Sequence, residues 1–200
     1  YPGCTEEFCI PLLEKFSKLK INKEFFCGYS PERINPGDKI HKLDNIEKII
    51  SSSNRLGLNL IQNIYKHVTK KKLIKVDSIK IAEGAKIIEN TQRDINIALM
   101  NELSILFNKL DIDFSKVLKA ANTKWNFLNF KPGLVGGYCI GVDPYYLSFK
   151  AKTKKFKTKI VLSGRKLNDQ MYKYITKKFI KKLPNKRNKV LLIGLTFKED

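Results

Sequence analysis

Long apolar runs, histidines and paired cysteine motifs are scarce in this sequence. No apolar run reaches the ~20 residues that a membrane-spanning helix requires, so we expect no membrane partner. The histidines, His41 and His67, form no ligand cluster and the cysteines show no C-x-x-C spacing, which argues against a metal site. The sequence has no secretory signal, and we expect a reduced, cytoplasmic location in which Cys4, Cys9 and Cys27 pack in the core.

Acidic residues are also in short supply. The chain has 39 lysines and arginines against 19 acids, and between Lys150 and Lys189 sixteen basic residues accompany a single acid, Asp169. This bias has two interpretations: a surface that binds nucleic acid or another polyanion, or the solvated face of a helix in a lysine-rich chain. We favour the solvated face and expect no nucleic-acid partner, because no stacking aromatics or zinc-finger spacing accompany the charge. A basic polyanion-binding module is the alternative function.

The sequence has only 11 glycines, yet several of them surround one cysteine. Cys139 lies among four glycines, and a carboxylate, Asp143, follows it by four residues. Glycine lets a main chain approach a ligand closely, and a cysteine in such a loop is placed for covalent catalysis. A tight loop around a small buried thiol is the other interpretation. The four glycines are Gly133, Gly136, Gly137 and Gly141.

Hydrophobic periodicity predicts an α/β arrangement in the first 77 residues. A helix opens at Thr5, which has the features of an N-cap residue and is followed by two acids. Strand patterns occupy 25–28, 46–51 and 73–77, and a helical pattern covers 56–68. This alternation of strands and helices is typical of the end of an α/β domain.

The longest helical pattern covers 78–110. At ~1.5 Å per residue this helix is nearly 50 Å long, which suits a connecting helix between two lobes. A polar row crosses it, in which Lys86 and Asn90 lie four positions apart and therefore share a face. Apolar residues flank this row and predict that it is buried. Its other members are Glu83, Arg93 or Asp94, and Asn101.

Three shorter helices and a strand are predicted beyond 110. The first helix covers 114–121, and the second is opened by Asp143 as the N-cap residue and Pro144 at the first helical position. The third is a basic helix at about 158–183. An apolar run at 190–195 that ends in glycine fits the first strand of a further α/β domain.

Four segments, in the same order along the chain, resemble conserved segments of the UDP-glucose/GDP-mannose dehydrogenase family. They are the turn at 28–38, the helical segment at 89–102, the cysteine loop at 131–146 and Gly-Leu-Thr-Phe-Lys at 194–198. The helix with Asn-Thr-Gln-Arg-Asp and the loop with Ile-Gly-Val-Asp-Pro-Tyr-Tyr are most similar to the sub-family that oxidises UDP-N-acetylhexosamines for surface polysaccharides. The substrate class implied is UDP-N-acetylglucosamine or UDP-N-acetylmannosamine.

The resemblance implies an α/β fold in three parts. Residues 1–77 correspond to the end of a Rossmann-like NAD-binding domain, and 78–183 to a central all-helical dimerisation domain with a long connecting helix and the cysteine loop. Residues 188–200 correspond to the start of a C-terminal Rossmann-like domain that binds the UDP-sugar. We therefore interpret the chain as an internal fragment that lacks most of the NAD site. We expect it to be inactive alone and to form a homodimer through the central domain.

The activity implied by the resemblance is an NAD-dependent, two-step oxidation of the sugar C6 hydroxyl to a carboxylate. Cys139 would capture the intermediate aldehyde as a thiohemiacetal, and a second oxidation would give a thioester that water hydrolyses. Lys86 would stabilise oxyanion character, Asn90 would orient the reacting carbon, and Asp143 would activate water or relay protons. Glu32 matches a family glutamate near the water and the thioester.

The resemblance also implies contacts with cofactor and substrate. NAD would contact Glu32 and Cys139. Two positions depart from the family pattern: Tyr138 replaces a histidine beside the cysteine, and Pro36 replaces a second glutamate. A neutral phenol lacks the positive charge by which an imidazolium activates a neighbouring thiol. The expected substrate-binding residues are Phe127 (or Phe130), Lys131, Gly133, Gly136, Gly137, Arg165 and Lys198.

Overall fold

The computed structural model describes residues 1–35, 37–184 and 189–193, which fall into two compact units, 1–89 and the described part of 90–200. Most of these residues are helical, and a small sheet lies in the first unit. Within the described ranges no helix is long and apolar enough to cross a membrane. Pro36 and Lys198 lie outside them, and the predicted domain boundaries at 77 and 183 stay predictions.

The first unit opens with a π-helical turn, Thr5–Cys9, that continues into α1, Ile10–Ser17. Thr5 does not cap this helix as the sequence predicted. Its N–H and its hydroxyl both donate to Oε1 of Glu83, at 2.8 and 2.6 Å, and the N–H of Gly3 donates to Oε2 at 2.6 Å. A buried carboxylate from a distant segment therefore receives the free N–H groups at the start of the helix.

The cysteines of the first unit are less buried than the sequence predicted. Cys9 is exposed, whereas Cys4 and Cys27 are half-buried. The prediction of core packing is therefore wrong for Cys9. The slight desolvation of the thiol, followed by the neighbouring Cys4, raises the pKa of Cys9, which keeps it protonated at neutral pH.

Three short strands form the sheet of the first unit. The strands are β1 (Gly28–Tyr29), β2 (Lys48–Ser52) and β3 (Leu73–Lys75). β2 is central and pairs antiparallel with β1 and parallel with β3, with Ile49 opposite Ile74. The helix α2, Arg55–Lys66, connects the parallel pair, so the predicted strand–helix–strand alternation is confirmed. Ile49 and Ile50 are buried at the centre of this unit.

The long helix α3 covers Ile79–Lys109, within one residue of the predicted helix at each end. It carries a buried polar row and an exposed apolar row: Asp94 and Asn101 are fully buried, whereas Ile88 is 64% and Leu99 49% exposed. With about 3.6 residues per turn, each set falls on one side of the helix. The predicted burial of the polar row is thus confirmed for Glu83, Asn90, Asp94 and Asn101, and the exposed row comprises Ile81, Ile88, Leu99 and Leu106.

The second unit continues with three helices. They are α4 (Phe114–Ala121), α5 (Tyr138–Thr153) and α6 (Lys159–Lys182). α4 and α6 match their predicted ranges, but α5 begins at Tyr138 and not at Pro144, which lies buried inside the helix. Residues 189–193 have no regular secondary structure, and the rest of the predicted strand at 190–195 lies outside the described residues.

Candidate active site

The junction between the glycine loop and α5 sets the position of Cys139. Gly137 is the residue before the helix and has a φ of 78°, a left-handed conformation that favours glycine. Cys139 therefore lies in the first turn of α5, and its side chain is exposed. Asp143 follows four residues later, so both side chains lie on the same side of the helix. An exposed thiol and a carboxylate one turn apart can act on the same ligand.

Asp143 is held by Asn90 of α3. The Nδ2 group of Asn90 donates to Oδ2 of Asp143 at 2.5 Å, and the Asn90 side chain is 5% exposed. Asp143 lies inside α5 and does not open it, so its interpretation as the helix cap is wrong. The structure thus joins two of the predicted catalytic residues directly and places a third, Cys139, one helical turn from Asp143.

The first unit holds the other two predicted catalytic residues, Glu32 and Lys86. Nζ of Lys86 donates to the main-chain carbonyl of Glu32 at 2.5 Å. The Glu32 carboxylate accepts from the N–H groups of Arg33 and Ile34 and lies 3.5 Å from Nζ of Lys48. Partial burial pushes the pKa of Glu32 upward, but these N–H groups and the Lys48 ammonium outweigh it and leave the pKa below its ordinary value. Glu32 is therefore ionised at neutral pH.

Arg165, a predicted substrate contact, is buried between two carboxylates. It is 3% exposed, Nη1 donates to Oδ1 of Asp94 at 2.5 Å, and Nη2 donates to Asp169. The Tyr145 hydroxyl donates to the other oxygen of Asp169 at 2.5 Å. Burial lowers the pKa of Arg165, but hydrogen bonds and the charges of Asp169 and Asp94 raise it above its ordinary value. These contacts give Arg165 a place in the interior of the second unit, and contact with a substrate stays a proposal.

Gly133 is paired through its main chain with Asn101. Its N–H donates to Oδ1 of Asn101 at 2.8 Å, and its carbonyl accepts from Nδ2 at 2.9 Å. Nδ2 of Asn101 also donates to Oδ1 of Asn168 at 2.8 Å. The N–H of Gly133 is thus bonded within the chain, and the predicted contact of Gly133 with the substrate stays a proposal.

Lys131 lines a cavity of about 820 Å³ in the second unit. The walls come from α3, α4 and α6 and include Asn108, Phe114 and Tyr174. A cation, amide groups and aromatic rings around one cavity suit a ligand with both anionic and uncharged polar parts. The contacts predicted for Phe127, Gly136 and Gly137 stay predictions, and the one predicted for Lys198 lies outside the described residues.

Comparisons with known proteins bear on what these residues do. The family described as "UDP-glucose/GDP-mannose dehydrogenase family, central domain" matches residues 80–170. Protein CapL of Staphylococcus aureus is 56% identical over 205 residues, which cover 100% of this chain and 48% of CapL. The chain belongs to the UDP-glucose/GDP-mannose dehydrogenase family. The resemblance inferred from four sequence segments is therefore confirmed.

Two further matches refine this placement within the UDP-glucose/GDP-mannose dehydrogenase family. The UDP-N-acetyl-D-glucosamine 6-dehydrogenase of Pseudomonas aeruginosa is 54% identical, over 100% of this chain and 49% of that protein. The solved structure of the UDP-N-acetyl-mannosamine dehydrogenase Cap5O from Staphylococcus aureus superposes with a TM-score of 0.81 at 32% identity, over 100% of this chain and 46% of Cap5O. The chain spans about half the length of the relatives it matches.

In this member of the dehydrogenase family the sequence did not reveal two residues that support the site. Lys48 is 2% exposed and donates to the Pro31 carbonyl at 3.1 Å, next to Glu32. Asn168 is 5% exposed and donates to Oδ1 of Asp94 at 2.8 Å. A lysine in a strand and an asparagine in a basic helix carry no local signal of burial. The four-residue spacing of Arg165 and Asp169 was the available signal for an ion pair near Asn168.

Proposed function

We propose that this chain is the middle part of an NAD-dependent nucleotide-sugar 6-dehydrogenase, which oxidises a UDP-N-acetylhexosamine to the uronate for polysaccharide biosynthesis. The observation that carries the proposal is the hydrogen bond between Asn90 and Asp143, with the exposed Cys139 thiol one turn away on α5. A nucleophile beside a hydrogen-bonded carboxylate suits the covalent capture of an aldehyde. The names of the Pseudomonas relative and of Cap5O support UDP-N-acetylglucosamine or UDP-N-acetylmannosamine as the substrate.

In the proposed reaction Cys139 is the nucleophile. Its sulfur bonds to C6 of the aldehyde, and a proton passes to the aldehyde oxygen to give a thiohemiacetal. After the second oxidation, water attacks the thioester carbon and the thiol is released with the carboxylate product. Asp143 relays the protons of these steps, and Asn90 fixes its carboxylate and orients the reacting carbon.

The two residues of the first unit have complementary roles in the proposal. The Lys86 ammonium stabilises negative charge that develops on the substrate oxygen, and in this structure it is bonded to the Glu32 carbonyl. The Glu32 carboxylate, kept ionised by neighbouring N–H groups and by Lys48, serves as a base toward water. These roles need an ammonium and a carboxylate, and both groups are held by hydrogen bonds in the first unit.

NAD would supply the two-electron acceptor for both oxidations. In the first unit the side chain of Asn54 accepts from the N–H of Gly57 at 2.8 Å and caps α2 at the turn after β2. The expected contacts of Glu32 and Cys139 with NAD stay proposals.

We also propose that the protein is a homodimer through the exposed apolar face of α3. Large apolar side chains recur along this face, whereas the opposite side of the helix carries the buried polar row. Soluble chains rarely leave such a row open, because burying it against a second copy removes apolar surface from water. The row lies on α3, and α3 falls within residues 78–183, the predicted central dimerisation domain.

The activity is tested with the complete protein that contains this chain. We expect NADH formation and a uronate product with UDP-N-acetylglucosamine or UDP-N-acetylmannosamine, and much less with UDP-glucose as the control substrate. The 200-residue chain alone is expected to form no NADH. Absence of NADH formation with every UDP-N-acetylhexosamine would contradict the proposal. Tight, steeply salt-dependent binding of DNA by that inactive protein would favour the polyanion-binding alternative.

A further inference from the structure

The side-chain amide of Asn101 is hydrogen-bonded to both the main-chain N–H and the main-chain carbonyl of one loop residue, Gly133. The amide offers an acceptor to the N–H of Gly133 and a donor to the Gly133 carbonyl, in the manner of a neighbouring β-strand. Residues 131–136 have no regular secondary structure, so their polar groups cannot bond to one another in a ladder. A side chain from α3 therefore supplies at Gly133 the bonds that a second strand would supply.

The orientation of the Asn101 amide is set by a chain of donors and acceptors. Its second donor goes to Oδ1 of Asn168, and Nδ2 of Asn168 donates to the main-chain carbonyl and the carboxylate of Asp94, at 3.0 and 2.8 Å. Reversing either amide would place two donors or two acceptors together. An ionised carboxylate can only accept hydrogen bonds, and Asp94 is paired with Arg165, so the direction of each hydrogen bond in this network is fixed.

This network of hydrogen bonds ends at the loop that precedes Cys139. Gly133 precedes Cys139 by six residues, and Lys131 and Gly137 lie on either side of it in the loop. Asn101 is fully buried, so its amide moves little, and its two hydrogen bonds hold the main chain of the loop at Gly133 in place. We propose that Asn101, oriented by Asn168, is a positioning residue that fixes the main chain of the loop 131–137 and hence the approach to Cys139.

The first test is hydrogen exchange of the Gly133 amide in the complete protein that contains this chain, followed by NMR. In Asn101→Ser the side chain no longer reaches Gly133, and we expect that amide to exchange about tenfold faster or more. Amides of the first unit, such as that of Ile50, should keep their wild-type rates. The matched control is Asn96→Ser on the same helix, because the Asn96 amide donates only to the Gln92 carbonyl, at 2.8 Å, in the contacts described. This control should leave Gly133 unchanged.

Wild-type exchange at Gly133 in a folded Asn101→Ser chain would overturn the proposal. If that variant loses the fold of the second unit, Asn168→Ser decides by the same measurement. It keeps both bonds between Asn101 and Gly133 but removes the group that orients the amide. Faster exchange at Gly133 then supports the proposal, and an unchanged rate overturns it.

A kinetic test rests on the proposed function. In the complete protein, Asn101→Ser is expected to lower kcat for uronate formation at least about tenfold while the KM for NAD stays unchanged, because the displaced loop presents Cys139 poorly. A variant that is merely less stable would keep its kcat below its melting temperature. If the wild-type protein forms no NADH, the proposed function fails, whereas the exchange rates still decide the role of Asn101.

Discussion

The amide of Asn90 lies 2.5 Å from the carboxylate of Asp143, which joins α3 to the helix that carries Cys139. In the complete protein, Asp143→Asn keeps the shape of the side chain but removes its charge and its ability to accept a proton. We expect kcat for uronate formation to fall by about 100-fold or more. Asp113→Asn, at the start of α4, is the matched control and should keep nearly the full rate. Wild-type turnover by Asp143→Asn would remove this residue from the mechanism.

The pairing of Arg165 with Asp94 predicts a large effect on stability. Arg165→Met removes both ion pairs and leaves a buried carboxylate without its partner, so we expect the free energy of unfolding to fall by about 3 kcal/mol or more. Urea unfolding of the 200-residue chain measures this change. Lys166→Met, at the exposed neighbouring position, should change stability by no more than about 0.5 kcal/mol.

The double variant Arg165→Met with Asp94→Asn extends this test. It removes the buried negative charge together with its partner, so it should be more stable than Arg165→Met alone. If Arg165→Met unfolds at the wild-type urea concentration, the ion pairs do not stabilise the second unit.

The contact between Lys48 and Glu32 predicts a pKa change. The pKa of Glu32 lies below its ordinary 4.5, so its ionised form is favoured by folding. The stabilisation is present above that ordinary value and is lost as the pH falls through the lower, folded-state pKa. Lys48→Met removes one of the lowering charges, and the pKa of Glu32 should rise. A carbon NMR titration of the Glu32 carboxyl group measures it, with Lys75→Met on β3 as the control. An unchanged pKa in Lys48→Met would contradict the account of Glu32.

The exposed apolar face of α3 predicts the oligomeric state. Leu99→Lys places a charge in the middle of this face, and we expect it to convert a dimer of the complete protein into a monomer in sedimentation velocity. Trp125→Lys is the control, because Trp125 is 92% exposed and lies outside α3. A wild-type protein that sediments as a monomer, or a Leu99→Lys variant that stays dimeric, would count against dimerisation through this face.

The helices whose bounds were predicted correctly are those that local sequence patterns specify. α3 and α4 begin and end within one residue of their predicted bounds, because long periodic patterns and the Asp113 cap are encoded nearby in the sequence. The predicted start of α5, at Asp143 and Pro144, was later than the observed start at Tyr138. The helix-start pattern of Asp143 and Pro144 was outweighed by Gly137, whose left-handed conformation starts the helix, and by the bond from Asn90.

The contacts that organise the candidate site are distant in sequence, and this is why the sequence did not show them. Thr5 was predicted to cap its own helix but is bonded to Glu83, and the sequence did not show that Arg165 is buried against Asp94, 71 residues away. Asn101 was correctly placed in a buried row, yet its pairing with Gly133 joins segments 32 residues apart. Residue types and spacing identify candidate chemistry, whereas tertiary packing decides which groups are free for a ligand.

The most direct test of the proposed function is the product formed by Cys139→Ser in the complete protein. The variant is incubated with NAD+ and UDP-N-acetylglucosamine, and the sugar products are identified by mass spectrometry, with Cys9→Ser as the control. Serine at 139 cannot form the thioester, so we expect no uronate from Cys139→Ser and normal uronate from Cys9→Ser. Uronate formation by Cys139→Ser at the wild-type rate would contradict the role of Cys139 as the nucleophile.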